Sequence, residues 1–540
     1  MHKRAVASFV VILALLGGLM LRIYDLTGQS LRQAAEQQAG MVVTVANARG
    51  TIYDCRLRPL VNTGEELRVS VTANPQAISA LAGCIDNTSL GKLAERLREG
   101  KPAVSVVDSL PSPAKGLNIF KTPVRYGERL LAPHVVGYMD GDGINGATGA
   151  ELVFDELLKK CSGKATVKYT VDAIGKPLEG IAPIISDTLK NAKAGVVLTI
   201  DKDIQAIAET AAKNHMTKGA VIVMRPKTGS ISAMVSLPDF QPSTLAKSLD
   251  DPNSPLINRA LSNYNCGSVY KIVTACAALE SGIPINTKYS CLGNVQIGDV
   301  TFHCHNRLGH GTLAMSDAFA QSCNPYFIRL AQRIGGQNLY NMSAALGFDR
   351  PIFLAEGWKT ARAVIPSELE LMSPAAVGNL AFGQGTLMAT PVHIAQLVAA
   401  VINGGELVRP TIVKGVVDAD GVLDENLVSP AQKVFSEKTA KTLEEMMIYA
   451  VDNGTGLSAR PFNGGAGGKT GTAETGWVVD SKTVMQGWFA GFYPSESPEY
   501  VIVVLAEDTE GTNGKAAPVF KQICEELAML KKSQKNKSGD

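Results

Sequence analysis

Seventeen residues from Ala5 to Leu21 carry no charge and a single polar side chain, Ser8, between His2-Lys3-Arg4 and Arg22. Such a stretch is unsuited to the surface of a water-soluble fold, and core helices seldom run so far without a polar face. Ile23, Tyr24 and Leu26 extend it, and no small-x-small cleavage pattern follows. The run therefore reads as an uncleaved anchor, with residues 1–26 forming the cytoplasmic amino terminus and the span. Basic residues precede the run and few follow it directly, so the positive-inside rule puts the amino terminus in the cytoplasm and the rest of the chain outside. The expected location is the cell membrane, crossed once.

The remaining chain is long. At 540 residues it implies two to four domains, and 45% hydrophobic against 19% charged residues describes packed structure rather than disorder. Lys and Arg total 52 against 50 Asp and Glu, so charge does not point to nucleic acid, and no nucleic acid is expected as a partner. The nine cysteines include no C-x-x-C pair and signal neither a zinc ribbon nor a small disulfide framework. His303-Cys304-His305, with His310 and Cys291 nearby, has the composition of a metal site. On a strand, however, His303 and His305 point one way and Cys304 the other, so no metal is expected. Gly293-Asn294 and the strand-like Val295 to Phe302 suit a hairpin instead, and a Cys291–Cys304 disulfide ordering the loop before Ser322 is the hypothesis for these thiols.

Residues 27–190 are mixed in pattern, with short β-like runs at Met41 to Ala46 and Ala165 to Val171, a charged stretch from Glu95 to Lys101, and no catalytic constellation. After the connector Pro183 to Lys193, Val196 to Ile200 reads as a strand and Asp201 as the cap of a helix through Gln205 and Glu209. Gly219 to Met224 and Ser230 to Ser236, joined by Pro226-Lys227-Thr228-Gly229, read as a hairpin. Residues 191–530 alternate strands and helices, ending with a strand at Tyr500 to Leu505 and a helix near Val519 to Met529. The polar, basic segment 531–540 is expected to be disordered.

Three short motifs carry chemistry. Ser268 and Lys271 fall i and i+3 at the mouth of the apolar run Ile272 to Leu279, so a helix there sets both side chains on one face. A serine hydroxyl is a poor nucleophile until a base takes its proton, and a lysine does so only when burial holds its amine neutral; Tyr270 and Ile272 offer apolar surroundings. Ser322-Cys323-Asn324, if extended, projects the hydroxyl and the amide to one side and Cys323 into packing on the other. Lys469-Thr470-Gly471-Thr472 offers a cation, two hydroxyls and an approachable backbone suited to an extended substrate ending in a carboxylate. A phosphate loop is excluded because Asn463 stands where a Walker A motif needs its first glycine.

In this order and combination the motifs resemble the S-x-x-K, S-x-N and K-T-G elements of the penicillin-binding and serine β-lactamase superfamily. Over nearly its whole length the chain resembles a class B penicillin-binding protein, a monofunctional D,D-transpeptidase of peptidoglycan. Arg49-Gly50-Thr51-Ile52-Tyr53-Asp54 is similar to that class's R-G-x-I-x-D pedestal motif, and His134 to Tyr138 with Gly149-Ala150-Glu151 to its later blocks. Leu198 to Asp201, Pro226 to Gly229, Phe382 to Gly385 before Thr390-Pro391, and Asn403-Gly404-Gly405 are similar to signatures of the catalytic domain. The stretch Cys291 to His310 resembles the cysteine-bearing loop of sporulation-specific members, while Cys266 replaces a proline frequent in the family.

The resemblance implies an α/β chain: an N-terminal transmembrane helix, a mixed α+β pedestal (27–190), and a penicillin-binding, serine β-lactamase-like transpeptidase domain (191–530) with a central antiparallel sheet flanked by helices. It implies that Ser268 is the acylated nucleophile and Lys271 its base, that Ser322 and Asn324 relay protons and hold the substrate amide, and that Lys469, Thr470, Gly471 and Thr472 bind the terminal carboxylate. Backbone N–H groups of Ser268 and Thr472 would form the oxyanion hole. The implied partners are stem peptides ending in D-Ala-D-Ala, β-lactams, the cytoplasmic membrane, a membrane glycosyltransferase and division, elongation or spore-wall proteins; no cofactor is implied. The alternatives are a β-lactamase or β-lactam sensor of the same superfamily, and a non-catalytic cell-wall scaffold.

Overall fold

A computed structural model of the chain describes residues 2–25, 40–425, 429–479, 482–509 and 514–538. His2–Asp25 form one helix whose 23-residue segment Lys3–Asp25 is long and apolar enough to cross a membrane. At 1.5 Å per residue it spans about 35 Å, against about 30 Å of hydrocarbon.

Two compact units follow from the contacts, one made of 1–50, 62–125 and 159–194, the other of 51–61, 126–158 and 195–540. The boundary read from sequence at 190/191 is thus crossed by two earlier excursions into the second unit. One of them is explained by the parallel pairing of Thr51–Tyr53 with Gly195–Leu198, a contact between segments too distant in sequence for local pattern to reveal. The first unit holds two antiparallel three-stranded sheets. In one, Gly163–Thr170 lies between Gly40–Ala48 and Ile184–Asp187; in the other, Gly64–Val71 lies between Ala103–Val107 and Leu117–Val124. The helices Pro75–Leu81 and Asn87–Arg98 are capped by Asn74 and Asp86, whose side chains accept from Gln76 N–H and from Thr88 and Ser89 N–H. Each cap satisfies helix-end donors that no carbonyl can reach.

The second unit is organised by a five-stranded antiparallel sheet in the order Ile231–Leu237, Gly219–Met224, Tyr500–Thr509, Lys482–Tyr493, Gly467–Val479. Gly219–Met224 and the stretch from Val501 to Ala506 are unbroken apolar runs because both faces are covered. Val501, Val503 and Leu505 pack into one hydrophobic cluster with Ala220, Ile222 and Met224, and the alternate residues Ile502, Val504 and Ala506 pack into another with Val221 and Val223. Each fully buried aliphatic side chain contributes about 1.5–3 kcal/mol. The second cluster is closed by the helices Lys202–His215, capped by Asp201, and Ala516–Ser538. The first cluster contains the helix Lys271–Glu280, buried from Lys271 to Ala278; its Ala275, Cys276, Ala277 and Ala278 are small enough to let neighbouring helices approach on every side.

One local expectation is corrected. The C-terminal helix continues through Ser538, so 531–538 is helical rather than disordered; Lys and Gln are good helix formers, and Lys531 is tied to Glu499. Residues 539–540 lie outside the described residues. Pro325 occupies the first turn of the helix Asn324–Ile334, where its missing N–H costs nothing.

Candidate active site

The turn Gly267–Tyr270 is a 3-10 helix that runs directly into Lys271–Glu280. In a 3-10 turn side chains at i and i+3 eclipse, and here Lys271 Nζ stands 3.0 Å from Ser268 Oγ. The turn is wedged into the fold. Gly267 has φ +55°, and a Cβ there would sit 2.5 Å from the Thr472 carbonyl oxygen, so the position demands glycine twice over. Its N–H donates to the Gly383 carbonyl at 3.0 Å, which gives the Phe382 to Gly385 segment its role. Cys266 is buried, its thiol pushed up to about 12 by desolvation. The Tyr264–Ala389 bridge and the Trp488 Nε1–H bond to Asn265 O, at 2.9 Å, hold the loop where proline is frequent in the family.

Ser322 and Asn324 converge on the same amine, though not from one side of an extended strand. Ser322 takes φ +52°, Cys323 caps the following helix, and Asn324 is its first residue. The left-handed turn aims both the carbonyl and the hydroxyl of Ser322 at Lys271 Nζ, at 2.6 and 3.1 Å, and Asn324 Oδ1 lies at 2.6 Å. Lys271 is fully buried, near the Phe327 ring, and burial pushes its pKa down to about 7. A neutral lysine has two N–H donors and one lone pair. The Ser322 carbonyl and Asn324 amide oxygen can only accept, so they take the two N–H groups and leave the lone pair for a serine hydroxyl.

The strand Gly467–Val479 closes one edge of the sheet beside this turn. Gly471 presses on it, since a Cβ there would lie 2.9 Å from Val269 Cγ2 and 3.1 Å from Cys266 O. Lys469 is fully buried; its Nζ donates to Thr470 O at 3.0 Å and faces the Phe319 ring. Desolvation, then the nearby Lys271, hold its pKa well below the usual lysine range. Thr470 Oγ1 shares a 2.8 Å hydrogen bond with Thr455 Oγ1. The structure thus gathers Ser268, Lys271, Ser322 and Asn324 into one hydrogen-bonded group and sets Lys469, Thr470, Gly471 and Thr472 along the strand beside it. Thr455 was not anticipated: it sits just past the helix Glu437–Asn453 in a Gly454-Thr455-Gly456 turn that reads as an ordinary helix end.

The cysteine-rich loop departs from expectation. Val300–His303 does pair with Asn294–Ile297 as a hairpin, but the strand stops at His303, so strand alternation no longer governs Cys304. Cys291 and Cys304 are free thiols, and Cys291, Cys304, His310 and Cys323 lie together with their ligand atoms within 4.8 Å of one another. The His303 carbonyl accepts from Asn324 Nδ2 at 3.2 Å.

Residues 219–525 match the model of the penicillin-binding protein transpeptidase domain. A curated relative, stage V sporulation protein D of Bacillus subtilis (strain 168), is 32% identical over 432 residues, covering 76% of this chain and 64% of its own length. Peptidoglycan D,D-transpeptidase PbpA of Mycolicibacterium smegmatis is 31% identical, covering 57% of this chain and 66% of its own. The solved penicillin G acyl-enzyme complex of penicillin-binding protein A from M. tuberculosis superposes with a TM-score of 0.61 at 25% identity, covering 74% of this chain and 94% of that one. The chain belongs to the penicillin-binding protein transpeptidase family. It spans just under two thirds of the length of the two curated relatives.

Proposed function

We propose that the chain is a peptidoglycan D,D-transpeptidase anchored by His2–Asp25, with its catalytic unit outside the membrane. The observation that carries this reading is the buried Lys271 amine, poised 3.0 Å from Ser268 Oγ with two obligate acceptors already engaging it. Ser268 gives its proton to Lys271 and attacks the carbonyl carbon of the penultimate D-Ala; the oxyanion rests on the N–H groups of Ser268 and Thr472. As the C–N bond breaks, the departing D-Ala amine takes the proton back from Lys271 by way of Ser322. An acceptor amine then attacks the Ser268 ester, loses a proton along the same path, and frees the serine. Lys469, Thr470 and Thr472 receive the terminal carboxylate.

Family membership and the penicillin G acyl-enzyme of a relative support β-lactams as inhibitors trapped on Ser268. In this reading 27–190 serves as a pedestal engaging a membrane glycosyltransferase and division, elongation or spore-wall proteins. The test incubates the full chain in detergent with a stem peptide ending in D-Ala-D-Ala and an acceptor amine. Free D-Ala together with a new amide is expected. Rapid turnover of penicillin without cross-linked product would instead mark a β-lactamase, and failure to react with either substrate a scaffold.

A further inference from the structure

Three thiols and an imidazole meet directly behind Ser322 and Asn324. Cys291 ends the strand Tyr289–Cys291, Cys304 follows the hairpin, His310 closes the loop from it, and Cys323 is the residue between Ser322 and Asn324. The three cysteines are buried and His310 is half-buried. His310 Nδ1 lies 3.7 Å from Cys291 Sγ and 3.5 Å from Cys304 Sγ. A tetrahedral zinc with Zn–S of about 2.3 Å and Zn–N of about 2.0–2.1 Å requires S···N edges of about 3.6 Å and S···S edges of about 3.8 Å. The two S···N distances match that polyhedron and all four ligand atoms lie within 4.8 Å of one another, whereas a disulfide would bring two sulfurs to about 2.05 Å.

The backbone is shaped to bring these groups together. Gly293 and Gly309 have φ +88° and +83°; a Cβ on Gly309 would meet the Cys291 carbonyl oxygen at 2.3 Å, and one on Gly293 the Arg307 carbonyl oxygen at 2.0 Å. Only glycines allow the two loops to touch so closely. The Cys304 N–H donates to Gly293 O at 2.9 Å and the His310 N–H to Cys291 O at 3.1 Å. Backbone N–H groups of Asn306 and Asn324 also point at the Cys304 sulfur, and that of Tyr326 at the Cys323 sulfur. Such donors stabilise metal-bound thiolates.

We propose that Cys291, Cys304, His310 and Cys323 hold a structural zinc ion that fixes the segment bearing Ser322 and Asn324. Four protein ligands leave no open coordination position, so the ion does no chemistry on the substrate. Soft thiolates and an imidazole in tetrahedral disposition select zinc over magnesium, calcium or manganese. Its effect on the site is positional: Cys323 is pinned on one side, the His303 carbonyl holds Asn324 Nδ2 on the other, and the left-handed Ser322 between them keeps its carbonyl and hydroxyl on Lys271.

The proposal rests on the ligand geometry alone and stands whatever substrate Ser268 attacks. The test measures metal in the full chain purified in detergent without chelator. About one zinc per chain is expected, and cobalt in its place should give the intense visible bands of a tetrahedral thiolate site. Cys291→Ser and Cys304→Ser should lose the metal, His310→Cys should keep it, and the controls Cys276→Ser and Cys524→Ser should keep it too. Chelated wild type should react with penicillin roughly 10²-fold more slowly, as expected for a misplaced catalytic group, and recover with added zinc. If the serine variants fail to fold, wild-type stoichiometry and the cobalt spectrum decide. Penicillin-reactive protein that holds no zinc after zinc is offered, or that carries a disulfide between any two of Cys291, Cys304 and Cys323, overturns the proposal.

Discussion

Ser322 meets Lys271 twice, with its carbonyl oxygen 2.6 Å and its hydroxyl oxygen 3.1 Å from the same Nζ. One residue can present both groups to one amine only because its backbone is left-handed, at φ +52°. Ser322→Gly, which relaxes that backbone and keeps the carbonyl, should fold at least as well as wild type and isolate the loss of the hydroxyl. Ser322→Val, β-branched in a left-handed conformation, should lower stability by about 1–3 kcal/mol. Thermal unfolding and penicillin acylation rates of the pair separate the two contributions; equal stability of both variants contradicts the account.

Intact-mass analysis after incubation with penicillin should find one adduct, on Ser268, and none in Ser268→Ala, which should remain folded. Lys271→Ala should slow acylation by roughly 10²–10⁴-fold, the contribution of a positioned general base. An adduct mapping elsewhere would remove the basis of the functional reading.

Acylation should increase with pH through about 7, where the Lys271 amine becomes neutral. The groups facing that amine are Lys469, Cys304 and Cys323. Stability carries the same signature. With the folded pKa of Lys271 below its unfolded value near 10.4, the unfolded chain binds the extra proton between these values, so stability grows with pH across the window by up to about 1.4 kcal/mol per pH unit. Lys271→Met should remove that portion of the slope in urea unfolding at pH 7 to 9; an unchanged slope means the lysine is charged in the fold.

Gly267→Ala must move a backbone carbonyl, because the new Cβ would lie 2.5 Å from Thr472 O. The expected outcome is a loss of more than about 2 kcal/mol and of penicillin labelling together. Ordinary labelling in a stable Gly267→Ala variant would show that the Thr472 strand does not seat against the nucleophile turn.

Thr455→Val should leave the Ser268 group intact and remove the 2.8 Å bond to Thr470 Oγ1. A lost neutral hydrogen bond is worth about 1 kcal/mol, so penicillin capture should weaken about fivefold at low concentration while the rate at saturation holds. A fall in the saturated rate alone would place Thr455 in the chemistry instead of in carboxylate binding.

What the sequence determined by itself is whatever depends on short range. The apolar N-terminal helix is visible in one uncharged run, the hairpin Gly219 to Ser236 in its two β-like runs and their turn, and the Ser268–Lys271 pairing in a spacing that helical geometry converts directly into contact. The motifs also named Ser322, Asn324 and Lys469 to Thr472 as candidate site residues. What only the tertiary structure decided is how distant segments meet. The pairing of Thr51–Tyr53 with Gly195–Leu198, the turn that sends Asn324 into a helix behind a left-handed Ser322, and the depression of the Lys271 pKa by burial depend on neighbours remote in sequence. The same holds for Cys291, Cys304, His310 and Cys323. Strand alternation scatters them on paper, but the strand ends at His303 and two left-handed glycines fold the loops back. Local periodicity cannot foresee where a strand stops, and that single residue separates a scattered set of thiols from a four-ligand site.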